Sequence, residues 1–79
     1  MATLPTIDQT IRAVLDAIGT YNVRPNEIVP LSGVQMKIFP RFTADDYRKA
    51  LMAMEEKGWI TGSSSSVHFT ITEAGFEQI

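Results

Sequence analysis

Apolar residues recur at Ile7, Ile11, Val14, Leu15 and Ile18, a stripe of helical period with Asp8, Gln9, Arg12 and Asp16 on the other side. Thr6-Ile7-Asp8-Gln9 ahead of it has the spacing of a capping box, so a first helix is expected to start there and to stop near Gly19 to Asn22. Val23 to Leu31 holds Pro25 and Pro30, which no continuous helix crosses, and Glu27-Ile28-Val29-Pro30 reads as a short edge strand. Ser32-Gly33-Val34-Gln35 repeats the box spacing, with Leu31 and Met36 at the positions of a hydrophobic staple. The second helix opened by that box is short, because Pro40 disfavours helical geometry at Phe39.

Thr43-Ala44-Asp45-Asp46 is a third start of the same kind, with Phe42 and Tyr47 at the staple spacing. Tyr47, Ala50, Leu51 and Met54 form its inward stripe, and Asp45, Arg48, Lys49, Met52, Glu55 and Glu56 face outward. Gly58 ends this helix with a left-handed cap. Trp59-Ile60-Thr61 and Val67 to Ile71 then read as strands, the second with Val67, Phe69 and Ile71 inward and His68 and Thr70 outward. Gly62 to Ser66 is the connecting tip, and Thr72-Glu73 opens a last short helix carrying Phe76 and Ile79. The expected fold class is therefore α+β, mainly α: a three-helix core with a C-terminal two-stranded β-hairpin, in a single domain spanning residues 1–79.

A chain of 79 residues with 44% hydrophobic and 20% charged side chains has enough apolar surface for one modest core and the composition of a soluble globular protein. The absence of cysteine removes disulfides and thiolate metal sites. No apolar run approaches the length of a membrane span and the N-terminus lacks a basic opening before an apolar stretch, so the expected location is cytoplasmic, with no membrane partner. The formal net charge is −2, but it is unevenly placed. Between Ser32 and Met52, Lys37, Arg41, Arg48 and Lys49 outnumber Asp45 and Asp46 by two, whereas the seven carboxylates elsewhere outnumber Arg12, Arg24 and Lys57 by four.

Nothing in the pattern points to catalysis. There is no phosphate-cradling glycine loop, and His68 has no second histidine or cysteine with which to bind a metal. The serines at the tip lack a nucleophile elbow and read as a flexible turn, while Glu55 and Glu56 point about 100° apart on their helix and cannot act as a pair. Neither an enzyme, a cofactor nor a metal is expected. Trp59 reads as a core residue; Met36, Met52 and Met54 suit a core, and an exposed Met52 suits an adaptable protein contact.

The run ALMAMEEKGWITG, followed by FTITEAGF, resembles the recognition helix, wing and closing LTExG of winged helix-turn-helix regulators of the MarR and PadR type, over Leu31 to Phe76. The resemblance implies double-stranded DNA as partner, with the third helix in the major groove and the hairpin tip at the backbone or minor groove. On this chain it assigns Thr43, Asp45, Arg48, Lys49 and Met52 to the groove, Gln35, Lys37 and Arg41 to phosphates, and Ser64 and Ser65 to the tip. Where such wings carry arginine or lysine, Gly62 to His68 carries serines and one histidine, and Asp45 would accept from a cytosine amine. A single module of this kind binds DNA weakly, so a transcriptional regulator would need a homodimer or a larger assembly. The acidic total and uncharged tip suit a different role, a winged helix adaptor that binds protein and not DNA.

Overall fold

The computed structural model describes residues 6–63 and 67–79. Among them the order is α1 (Ile7–Gly19), β1 (Ile28–Pro30), α2 (Leu31–Ile38), α3 (Ala44–Glu56), β2 (Ile60–Thr61), β3 (His68–Ile71) and α4 (Glu73–Phe76). The protein is a small, mainly helical α+β fold with one antiparallel sheet of order β1-β3-β2. The two-stranded hairpin is thus extended to three strands by β1, which pairs Ile28 with Thr70, Val29 with Phe69 and Pro30 with His68. On the other side of β3, Ile60 faces Ile71 and Thr61 faces Thr70. None of the described helices is long and apolar enough to cross a membrane.

The starts of α1 and α3 follow their local chemistry. Thr6 accepts from the Gln9 amide at 3.1 Å while the Gln9 side chain takes the Thr6 amide at 2.9 Å. At α3, Thr43 and Asp46 exchange the same pair of bonds, each at 3.1 Å. Phe42 and Tyr47 flank that cap and are both buried in the core. The start of α2 differs from expectation. Ser32 is not its cap: the helix begins at Leu31, with extended Pro30 before it and no side-chain cap bond. Because β1 runs into α2 without a loop, the Leu31 amide is taken by the Val67 carbonyl at 3.0 Å, and the strand ladder does what a capping side chain would do. Met36 is 77% exposed and forms no staple with Leu31. The end of α2 is as expected, with Phe39 extended (ψ 142°) just before Pro40.

The core is one cluster in which α1 supplies Ile11, Val14, Leu15 and Ile18, α3 supplies Tyr47, Ala50, Leu51 and Met54, and the sheet supplies Val29, Ile60, Phe69 and Ile71. Two residues expected in the inward sets lie outside it. Ile7 occupies the first helical position and stays half exposed, the buried stripe starting at Thr10 and Ile11. Val67 precedes β3 and is 56% exposed, since the alternation continues past the end of the core that covers Phe69 and Ile71. Thr10 is buried unexpectedly and satisfies its hydroxyl on the Thr6 carbonyl at 3.1 Å.

The end of α3 is a Schellman arrangement: the Gly58 amide reaches the Glu55 carbonyl at 3.0 Å and the Trp59 amide the Met54 carbonyl at 2.9 Å, with Gly58 at φ +77°. Thr72 then ties this turn to the end of the chain. Its hydroxyl donates to the Gly58 carbonyl at 2.6 Å and accepts from the Gly75 amide at 3.1 Å, and its own amide donates to the Trp59 carbonyl at 3.0 Å. Gly75 sits against that same turn, so a methyl group there would run into the Trp59 carbonyl oxygen and lie 2.7 Å from Ile71 Cδ1.

Two glycine substitutions separate backbone strain from crowding. Gly58→Ala meets nothing within 4 Å and is expected to cost about 1 kcal/mol through its left-handed φ alone. Gly75→Ala forces the α4 turn off Trp59 and is expected to cost about 3 kcal/mol, the upper range for overpacking. Urea or thermal unfolding would rank them, and equal losses would show that the Gly75 approach is not tight.

Candidate functional site

Two grooves flank α2. The first, of about 500 Å³, lies between the start of α2, the outer face of α3 and the root of the hairpin tip. Its walls include Leu31 and Gln35 from α2, Arg48, Leu51, Met52 and Glu55 from α3, and Ser63 from the hairpin. Gln35, Arg48 and Met52, assigned to DNA contact by the resemblance, are thus brought together here. Arg48 is exposed and has no hydrogen bond or ion pair with any described residue. Met52 is 58% exposed beside it, because the position one residue past the Leu51 stripe faces away from the core.

Lys49 and Asp45 share the exposed face of α3 and pair with each other at 3.2 Å, one turn apart. An exposed pair of this spacing contributes only about 0.3–0.5 kcal/mol, so it leaves Lys49 available to a stronger anion. Thr43 is exposed at the leading end of α3, but its hydroxyl is engaged as the helix cap. Ser64 and Ser65 lie outside the described residues.

Lys37 and Arg41 stand elsewhere. They line the second groove, between α1 and the far end of α2. Lys37 Nζ lies 5.1 Å from the centre of the Tyr21 ring and the Arg41 guanidinium 5.3 Å from that of Phe42, so each cation rests on an aromatic face. The cationic stretch that is continuous in sequence is therefore divided by α2 into two surfaces.

The first groove also holds groups the sequence did not single out. Ser63 donates to Glu55 Oε2 at 2.8 Å, fastening the root of the tip to α3 and holding a carboxylate on the same face of α3 as Arg48, two turns further along. The signal available beforehand was only that Glu55 lies on the outward face of α3; the approach of Ser63 depends on the path of the hairpin. Tyr47 forms part of the same wall and donates its hydroxyl to the Leu31 carbonyl at 2.7 Å, bridging α3 to the start of α2. Among the described residues, no group of three or more histidine, aspartate or glutamate side chains is placed to hold a metal ion.

Burial, and after it the neighbouring Tyr21, pushes the Tyr47 hydroxyl above the usual tyrosine range. Because its folded pKa exceeds the unfolded value near 10, the neutral phenol contributes stability that is fully present below pH about 10 and is lost as pH rises toward the folded value. Tyr47→Phe is expected to cost about 1 kcal/mol at neutral pH, a fall in Tm of roughly 4–8 °C, through the lost bond to Leu31. The variant should also show a shallower fall in Tm above pH about 10 than the parent; parallel alkaline profiles would show that Tyr47 is not the responsible group. No family model, curated protein or solved structure matches this chain.

Proposed function

We propose that this chain is a winged helix domain that binds duplex DNA through the outer face of α3, as a dimer or within a larger assembly in transcriptional regulation. The order of α2, a short turn and α3, followed by an antiparallel hairpin, supports that reading. The observation that carries it is Arg48: an exposed cation without a partner among the described residues, on an exposed helix face, in the groove beside the hairpin. Lys49 adds a second cation on the same face, and Gln35 and Met52 supply a polar and an apolar contact across the groove. Asp45 disfavours a phosphate next to it, which leaves it the role of accepting from a cytosine amine.

The charge bounds the strength of binding. Two cations on the α3 face imply a slope of log affinity on log salt of roughly −0.9 × 2, and a non-specific Kd on the order of 10⁻⁴ M for the isolated chain. Useful affinity then comes from a second copy or another chain that multiplies the contacts.

A second reading is favoured by the chemistry of the same groove. Leu31, Leu51 and Met52 line it, and Glu55 offsets Arg48, as suits a protein adaptor that does not bind DNA.

Fluorescence anisotropy with a mixed-sequence duplex at low salt tests the two. The DNA reading expects salt-dependent binding that Arg48→Glu removes while far-UV circular dichroism stays unchanged. No binding at protein concentrations of roughly 10⁻⁴ M would overturn it and leave the adaptor reading.

A further inference from the structure

The groove between α1 and α2 is a separate surface with a separate electrostatic character. It is an open concavity of about 860 Å³ on the side of α2 away from Arg48. Among the described residues that line it, Arg12, Lys37 and Arg41 stand with Asp16 as the one acidic side chain, so their side chains sum to +2 in a chain whose total is −2. We propose that this groove seats an acidic amphipathic helix of a partner protein, holding its carboxylates with Arg12, Lys37 and Arg41.

The three cations are pre-oriented. Arg12 gives Nε and Nη2 to Asp16 Oδ1 at 3.2 and 3.0 Å, and Nη1 to the Gln78 carbonyl at 3.0 Å. This fixes the plane of the guanidinium and leaves two of its five N–H donors for an incoming acceptor. Lys37 and Arg41 are steadied by the Tyr21 and Phe42 rings and have no carboxylate partner among the described residues. Two cations held in place without an anion are complementary to carboxylates brought by another chain, which they would meet with little loss of side-chain freedom.

The floor distinguishes a helix from a nucleic acid. Ala13 and Ala17, one turn apart on α1, lie between the charged walls with Ile38 and Phe42. A helix packing on α1 and α2 needs an interaxial distance of about 8–10 Å, which small residues on the floor permit, and its apolar side would cover the floor while glutamates on its flanks reach the cations. A phosphate backbone has no apolar side to place there. This surface does not depend on the DNA reading, since Arg48 lines the other groove and neither Arg48 nor Lys49 lines this one.

The test uses the full chain and a synthetic amphipathic peptide about five helical turns long, with glutamates flanking a leucine and alanine stripe, beside a twin with glutamine for every glutamate. Titration by calorimetry is expected to show binding of the glutamate peptide, weakened about tenfold or more in the Lys37→Glu/Arg41→Glu double variant and unchanged in Arg48→Glu. Ala13→Trp, which fills the floor and keeps the charges, is expected to weaken it as well; should either variant unfold by circular dichroism, Lys37→Gln and Arg41→Gln take its place. Equal binding of the glutamine peptide, or loss in Arg48→Glu with none in the double variant, would overturn the proposal. So would a duplex whose binding is abolished by Lys37→Glu/Arg41→Glu when the peptide does not bind, because the groove would then be a phosphate site.

Discussion

The turn that joins α3 to the sheet constrains everything presented on the surface. Gly58 takes a backbone that other residues resist, the Trp59 amide folds back onto Met54, and Thr72 clamps the Gly58 and Trp59 carbonyls from the far end of the chain. That clamp sets the direction in which β2 leaves α3, and hence the separation between the α3 face and the hairpin root. The TEAG run that contributes to the winged helix resemblance has here a structural explanation: threonine caps the last turn, and glycine lets it lie against a carbonyl. Such a run follows from closing a hairpin onto a helix end and is neutral about the partner.

The α2 helix has the opposite character. It is eight residues long, has no side-chain cap, and is held by what surrounds it: the Leu31 amide by the strand ladder, the Leu31 carbonyl by Tyr47, and Val34 and Ile38 by the core. Because it is thin and fixed on both sides, it acts as a partition. Gln35 looks into one groove and Lys37 into the other, although they are two positions apart, since residues at that spacing lie about 200° apart around a helix. The charge-balanced, partly apolar groove by the hairpin and the cationic groove by α1 suit different kinds of ligand, and one small fold can offer both at once.

Local signals were sufficient wherever a few neighbouring residues decide the outcome. The capping boxes at Thr6 and Thr43, the stop at Gly58, the end of α2 before Pro40, and the alternation of Phe69 and Ile71 all rest on interactions spanning no more than four or five positions. The Ser32 box shows the limit of that logic, because its spacing is right but a strand without a loop already supplies the helix start. Val67 shows the same limit for alternation, which says which face a residue takes and not how far the core extends to cover it.

The sequence by itself determined the order and nature of the elements, the stripes that meet in the core, and the gathering of four of the seven cations between Ser32 and Met52 of an acidic chain. Those properties follow from periodicity, backbone preference and residue count. Only the tertiary structure decided that Lys37 and Arg41 belong with Arg12, that Glu55 is tied to Ser63 in the groove that Arg48 lines, and that Tyr47 locks α3 to the start of α2. The physical reason is that a groove is made by two or more elements packed at a particular angle, and that angle is set by the whole core, not by any short run of residues along one of its walls.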